Sequence, residues 1–176
     1  IGVRLVGSEM CIRDSNNTGS LLIQNDALVL ESDGGEDFIT CAVDGAVSIY
    51  YNNSAKIATT NTGAQITGTI LATTDTDTTN SGSITLDFET NQNFILTLTG
   101  NITLANPTTE QVGQSGVITF IQDGTGSRTL TLGSQYKTAG GADITLSTAA
   151  AAVDVVPYFV QSADNILLGS IQKAFS

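Results

Sequence analysis

The sequence contains no histidine and no tryptophan, and only six of its 176 residues are lysine or arginine. The absence of histidine excludes His-based catalytic triads and histidine-ligated zinc or haem sites. Seventeen aspartate and glutamate residues give a net charge of −11. This surplus argues against nucleic acid and anionic lipid as partners, because binding to phosphate groups depends on basic side chains. We therefore expect no nucleic-acid partner, no membrane insertion and no cofactor.

Charged residues of both signs make up only 13% of the chain, whereas threonine fills 26 positions, glycine 18, serine 15 and asparagine 12. Such a chain stays soluble through hydroxyl and amide groups. Threonine favours strands, and glycine and asparagine favour tight turns, so the composition disfavours helix. It predicts an all-β protein that is not an enzyme.

Residues 1–15, IGVRLVGSEMCIRDS, differ from everything that follows. The string VRLVGSEMCIRDS resembles a translated sequencing-adaptor artefact, so we expect the native chain to begin near Asn16. A genuine flexible leader is the alternative. Without this segment Cys41 is the one remaining cysteine, which rules out an intramolecular disulfide framework.

Residues 16–72 predict a short-stranded, fibrous stalk segment. Turn signals such as Asp44-Gly45 and Asn52-Asn53 recur about every ten residues and separate short strands. The predicted strands are Leu21–Gln24, Ala27–Glu31, Phe38–Ala42, Ala46–Tyr51, Ala55–Thr59 and Ala64–Ile70. Large apolar side chains are too few here for one copy to form a core, so we expect identical chains to cover one another.

Residues 73–82, TTDTDTTNSG, contain no large apolar residue and predict a linker or hinge. Asp75 and Asp77 lack the glycine and the distal glutamate of a calcium loop. We therefore interpret both as solvated linker residues.

Residues 83–176 alternate more strongly and predict an antiparallel β-sandwich or jelly-roll-like domain. Leu86 and Phe88 alternate with polar residues, and a turn at Asn91-Gln92 predicts a first hairpin with 94–98. A second hairpin is predicted across the turn at 123–126. The remaining predicted strands are 102–104, Val117–Gln122, Arg128–Leu132, 144–146, Val153–Ser162 and Asn165–Ala174.

The sequence contains no catalytic motif and no metal-ligand pattern. Asp154, which lies between two valines, is interpreted as paired with Arg128 or Lys137, or as turned outward at a sheet edge, in preference to a catalytic role. The acids at 31, 33, 36 and 37 surround a Gly-Gly turn; they suit either a solvated turn tip or, less well, a calcium ion. Of Tyr50 and Tyr51, one should pack and one should face out, because adjacent strand residues point to opposite faces.

Tyr136 and Tyr158 are the best candidates for ligand contact, because a tyrosine ring can stack on a sugar. No metal site and no catalytic residue is predicted.

Two regions carry a resemblance to structural proteins of tailed bacteriophages, of the type found in marine phages. The first, DGAVSIYYNNSAKIATTNTGAQITGTI at 44–70, resembles a module common in those proteins. The second resembles the C-terminal domain of phage tail-fibre or appendage proteins, and its segments are LTGNITLANPT at 98–108, GQSGVITFIQDGTGSRTLTLGS at 113–134, GGADITLSTAAAAVDVVPYFV at 140–160 and GSIQKAF at 169–175. Members of that class usually carry an aromatic residue, often tryptophan, near the position of Tyr136.

The resemblance implies a homotrimeric fibre in the virion that contacts other virion proteins through its stalk. Its distal β domain would attach to a host-surface glycan or protein. A bacterial surface adhesin or carbohydrate-binding module, located outside the cell, is the alternative function. A small polysaccharide depolymerase is a third hypothesis, and it would require two carboxylates in one cleft.

Overall fold

The computed structural model describes residues 11–14, 21–24 and 26–175, and the chain divides into two compact units, residues 1–70 and 71–176. Strands form almost all of the regular structure, so the predicted all-β class is confirmed. The only helical element in the described residues is a 3-10 turn at Ala139–Gly141. No helix in this part of the chain is long and apolar enough to cross a membrane.

Most of the predicted leader lies outside the described residues, as does Asn16. The described part of the predicted leader is strand β1 (Cys11–Asp14), which pairs antiparallel with β2 (Leu21–Gln24).

Five further strands of the first unit form an antiparallel meander in which each strand pairs with the next. They are β3 (Ala27–Glu31), β4 (Asp37–Ala42), β5 (Val47–Tyr51), β6 (Ser54–Thr60) and β7 (Gly63–Ile66). Turn chemistry places them as predicted: Asp44, Asn52 and Asn53 have φ values of 50°, 49° and 55°. Short polar side chains tolerate this left-handed region, so these residues can end one strand and start the next.

An eight-stranded sheet forms the second unit and curls into a half-barrel, consistent with the predicted β-sandwich. Its strands are β8 (Thr74–Ile84), β9 (Asn93–Leu104), β10 (Ser115–Gln122), β11 (Leu130–Leu132), β12 (Tyr136–Lys137), β13 (Val153–Ser162), β14 (Asn165–Leu168) and β15 (Gln172–Phe175). Strands β13 and β14 form an antiparallel hairpin, and the predicted strand Asn165–Ala174 is divided into β14 and β15.

The strand directions are mixed and not purely antiparallel. Strand β9 pairs in parallel with β8 along one edge, and with β10 and β11 along the other. The predicted hairpins through Asn91-Gln92 and through 123–126 are therefore wrong. The connection from β8 to β9 returns the chain to the end of the sheet where β8 started, as parallel pairing requires, whereas β11 continues along β9 beyond the end of β10.

Leu86 and Phe88 lie in the connection between β8 and β9, where they are 3% and 1% exposed. The alternation that predicted a strand is real, but it comes from an extended crossover that packs every second side chain into the core. The amide of Phe88 donates to Thr109 Oγ1 at 3.0 Å instead of joining a strand ladder. Alternation of apolar and polar residues indicates an extended chain, but it does not show which strand, if any, the segment pairs with.

The predicted linker at 73–82 is also wrong, because most of it lies in β8. This strand pairs with β9 from Thr74 to Ile84, with irregularities near Asn80. Asn80 is 2% exposed, and its side-chain amide donates to the carbonyls of Asp77 and Thr97 where the regular pairing is interrupted. Threonine suits strands, and a strand with one free edge can form without large apolar residues when its partner supplies the core.

The core of the second unit is a single cluster of buried apolar side chains. At one end, the Phe88 ring packs edge-to-face against Phe94 and Tyr158, with centroids 5.0 and 5.2 Å apart. The other buried members are Leu86, Leu96, Leu98, Ile102, Leu104, Ile118, Phe120, Tyr136, Leu146, Val156, Val160, Ile166 and Leu168.

Candidate interaction surfaces

Tyr158, predicted to contact a ligand, belongs to the core. Its side chain is 4% exposed, and its hydroxyl donates to the carbonyl of Gln92 at 2.6 Å. Burial raises the pKa of Tyr158 to about 12. Neighbouring Gly116 has no room for a side chain, because a Cβ there would lie 2.0 Å from that same carbonyl oxygen. The tyrosine, the carbonyl and the glycine therefore form one tightly packed structural unit.

Tyr136 is likewise buried, at 5% exposure, on short strand β12 opposite Ile166 of β14. Burial raises its pKa, with a further contribution from the charge of Glu110. Stacking on a sugar requires an open ring face, which neither Tyr136 nor Tyr158 has in this structure. Strand alternation could have shown that both fall on core positions, since Tyr158 follows Asp154 and Val156 on the same face.

Asp154 is buried at 2% exposure and is paired with neither Arg128 nor Lys137. Its carboxylate accepts hydrogen bonds from the amide of Ser147 at 2.6 Å, the hydroxyl of Ser147 at 2.7 Å and the amide of Ala174 at 2.9 Å. It thereby fastens the irregular segment before β13 and the strand β15 to the sheet. The role is structural, and the predicted ion pair or outward orientation is wrong.

Arg128 instead pairs with Asp123 across the turn after β10, at 2.7 Å. The other carboxylate oxygen of Asp123 accepts the amides of Thr125 and Gly126. The Arg128 guanidinium beside Asp123 lowers the pKa of that carboxyl. Gln122 closes the same turn, since its side chain both donates to and accepts from the backbone of Arg128.

The acidic cluster at 31–37 surrounds a turn between β3 and β4. The Ser32 hydroxyl accepts the amide of Glu36 at 3.0 Å, and the Asn53 side chain accepts that of Asp37 at 2.8 Å. Within residues 26–175 no group of three or more histidine, cysteine or acidic side chains is placed to hold a metal ion.

Tyr50 and Tyr51 differ as their adjacent strand positions predict. Tyr50 is half-buried and its hydroxyl lies 3.1 Å from Thr40 Oγ1, whereas Tyr51 is 75% exposed.

One face of the five-stranded meander carries a continuous row of aliphatic residues. Strand register places Leu30 opposite Ile39, Ile39 opposite Ile49, Ile49 opposite Ile57 and Ile57 opposite Ile66. We call these five residues the apolar ladder. Directly opposed residues share a face of a sheet, so one unbroken aliphatic row crosses all five strands.

The apolar ladder is open in the single chain. Ile49, Ile57 and Ile66 are 42%, 40% and 44% exposed, and Leu30 is 43% exposed. A second row on the same face, Leu28, Cys41 and Val47, adds further apolar surface. Sequence reasoning predicted these strands without their register, so it could not show that the isoleucines align.

The other face of the meander has a different character. Its matching row is Val29, Thr40, Ser48, Ala58 and Gln65, one residue away from the apolar ladder on each strand. Three of these five are polar. In residues 26–70 the one buried residue is Ser48, which is 9% exposed, so neither face forms a core.

The second unit carries a groove that sequence reasoning missed. Its volume is about 480 Å³, and it lies between the segment 138–145 and the segment 168–173. Asp143 and Lys173 bring opposite charges to it, and Thr138, Thr145 and Ser170 bring hydroxyls. No motif marks it, because its residues come from two segments that are distant in sequence and are brought together by the fold.

Comparison with known proteins gives one family. Residues 78–162 match the model of the family described as "Putative phage tail fibre C-terminal domain". No curated protein and no solved structure matches the chain.

The match runs from the middle of β8 to the end of β13, so it covers most of the sheet and most of the buried cluster. This is also the part of the sequence that resembled tail-fibre C-terminal domains. A domain of this family points to a structural role and to a place in the tail or an appendage of the virion. Residues 78–162 are therefore similar to the phage tail fibre C-terminal domain, and this match supports a phage tail-fibre protein.

Proposed function

We propose that this tail-fibre protein works as a homotrimer, in which the first unit forms a stalk segment and the second unit attaches to the host surface. It acts by mechanical support and adhesion and performs no catalysis. Three copies hold three attachment sites close together, so individually weak contacts add up to avidity.

The observation that carries the trimeric stalk is the contrast in burial between the units. The first unit exposes large apolar side chains on a sheet without a core. Exposed apolar area of this extent marks an interaction surface in a soluble protein. Closed rotational symmetry gives each copy the same cover, so no copy is left with an open apolar face.

Light scattering on the full chain tests the assembly. We expect the mass of three chains at micromolar concentration, decreasing only on strong dilution. A stable monomer would contradict the trimer, and a dimer or tetramer would contradict its stoichiometry.

For host attachment we propose the groove around Asp143 as the contact surface, in place of the buried Tyr136 and Tyr158. Sugars offer hydroxyl groups at fixed spacing, and the groove offers a carboxylate, an ammonium and several hydroxyls beside the apolar side chains of Ile144 and Leu168. Concave surfaces with a few convergent polar groups are the usual form of small-ligand sites.

A glycan array and adhesion to host cells, both with the full chain, test this surface. We expect the variant Asp143→Ala, Lys173→Ala to lose most of the binding. The matched variant Glu89→Ala removes an exposed acid outside the groove and should bind like the wild type. Equal binding by all three proteins would contradict the groove as the site. Binding by a monomer would instead favour a carbohydrate-binding module.

A further inference from the structure

We propose that the apolar ladder, Leu30, Ile39, Ile49, Ile57 and Ile66, is the surface through which copies of this chain pack together, face against face around a common axis. This rests on the homotrimer proposed above. It adds which face becomes buried and how the strands lie relative to the axis.

The first argument is the difference between the two faces of one sheet. Antiparallel sheets commonly keep one face in water and bury the other, and the buried face is the apolar one. Here the ladder face is aliphatic in every strand, whereas the row one residue away includes Thr40, Ser48 and Gln65. This pattern is typical of a sheet with one buried face, and the surface that buries it here is not part of the single chain.

Charge indicates that the cover is a second copy. The chain has a net charge of −11, so two copies repel each other wherever acidic side chains meet. Neither the apolar ladder nor the adjoining row of Leu28, Cys41 and Val47 contains a charged residue. The neighbouring acids Glu31 and Asp37 instead lie at strand ends, and Asp44 lies in a turn. Identical acidic chains can therefore pack these two rows together without burying a charged residue of either row, and a basic partner gains nothing from them.

The direction of the ladder fixes the orientation of the strands. Neighbouring strands lie about 4.8 Å apart, so four such steps carry the ladder about 19 Å across the sheet, perpendicular to the strands. Copies that align their ladders along one axis must place their strands across that axis. Each further hairpin would then lengthen the shared apolar seam by a fixed step.

Pairing between strand edges is the competing arrangement. Strands β3 and β7 end the meander, and each has one unpaired edge within it. Joining copies through these edges would extend the sheet but leave the apolar ladder in water. The two arrangements therefore differ in whether ladder side chains become buried.

Two charge-introducing variants of the full chain separate them. Ile57→Asp places a charge in the ladder, and Val29→Asp places the same charge on the other face, at a residue of similar type that is 50% exposed. We expect light scattering to show a threefold decrease in mass for Ile57→Asp and no change for Val29→Asp. Circular dichroism of both variants checks that strand content is retained.

The outcomes distinguish this inference from the proposed trimer. If the wild type is a trimer and Ile57→Asp remains one, the ladder is not the contact, although the trimer stands. If the wild type forms another oligomer that Ile57→Asp dissociates, the ladder is supported and the trimer is not. A wild-type monomer overturns both.

Cys41 provides a second measurement that leaves the ladder itself unchanged. It lies on the ladder face, and substituting Cys11→Ser makes it the single thiol. We expect maleimide labelling of Cys41 to slow at least about tenfold as the protein concentration rises through the assembly range. A thiol on the opposite face, Val29→Cys in a Cys11→Ser, Cys41→Ala chain, should label at a constant rate. Equal concentration dependence for both thiols would overturn the proposal.

Discussion

The two units of this protein share an alternating β pattern but differ in whether the apolar face is buried within the chain. In the second unit, one set of alternate side chains is buried in a closed core that includes Phe94, Leu96 and Leu98 at 0–2% exposure. In the first unit, the corresponding set remains 40% or more exposed at Ile49, Ile57 and Ile66. A period of two specifies a sheet with one apolar face, but it does not specify whether the same chain or another one covers that face.

The reason lies in the connections. The second unit uses long crossovers, and one of them returns Leu86 and Phe88 over the sheet. In residues 26–70 the strands of the first unit are joined by short turns such as those at Asp44 and at Asn52-Asn53, and none of these connections folds back over the sheet. A meander made of short turns therefore depends on other molecules for its core, whereas a sheet with crossovers carries its own.

The largest expected effect breaks this contrast at the core of the second unit. Phe94→Ala removes a fully buried ring that packs on Phe88 and Tyr158. We expect it to destabilise that unit by about 3–5 kcal/mol, because it loses apolar burial and leaves a cavity. Hydrogen exchange at increasing urea concentration, followed segment by segment, measures this effect. Phe38→Ala, which trims a ring that is 51% exposed, should cost about 1 kcal/mol or less. Equal costs would contradict the contrast.

Asp154 tests whether the core depends on its buried acid. Asp154→Ala leaves both Ser147 donors and the amide of Ala174 without their acceptor. We expect a loss of about 2–4 kcal/mol, with faster exchange in β15 than in β9. The exposed Asp143→Ala serves as the control and should change stability little. If Asp154→Ala weakened only host binding and left exchange unaltered, the structural role would be wrong.

Alkaline pH should weaken the second unit through its buried tyrosines, Tyr136 and Tyr158. Tyr158 has a pKa of about 12 when folded and ordinarily about 10, so the unfolded chain ionises first. Its contribution is complete below pH 10 and is lost between about pH 10 and 12, at about 1.4 kcal/mol per pH unit. Urea titrations at pH 9, 10 and 11 measure this slope. Tyr158→Phe should reduce the slope and lower stability at neutral pH, because the bond to Gln92 is absent. An unchanged slope in that variant would show that the loss arises elsewhere.

Local chemistry made part of this fold predictable. Turn residues and alternation placed β3 and β13 at their observed bounds, and the same signals located the other four strands of the meander without showing how they pair. Strand partners were not predictable, because an extended segment such as that of Leu86 looks alike in a hairpin and in a crossover. Whether a strand runs parallel or antiparallel to its neighbour depends on where the chain re-enters the sheet, and the sequence of a few neighbouring residues does not determine this.

The candidate sites were less predictable for a related reason. Tyr136 and Tyr158 were predicted to contact a ligand because of their aromatic rings, but a ring can bind a ligand only where it lies on an exposed face. The apolar ladder depends on register, which a shift of one residue on any strand would destroy. Asp143 joins its groove only through tertiary folding. Composition and turn signals therefore identify the kind of protein more readily than its contact surfaces.

The smallest expected effect concerns the turn after β10. Arg128 lowers the pKa of Asp123 below its ordinary value of 3.8. The carboxylate thus adds stability above that value, and the contribution is lost as the pH falls through the lower folded pKa. Asp123→Asn should therefore lose less stability than the wild type as the pH falls from about 4 to 2.

Because both side chains of this pair are partly exposed, its effect should be modest and should weaken further in high salt. A double-mutant cycle with Arg128→Gln measures the effect of the pair. Once either partner is replaced, replacing the other should have little further effect on the loss of stability at low pH. Full additivity would show that the turn is held by Gln122 and the backbone bonds alone. Such an outcome would sharpen the contrast between the units, because the stability of the second would then depend on its buried groups and not on its surface charges.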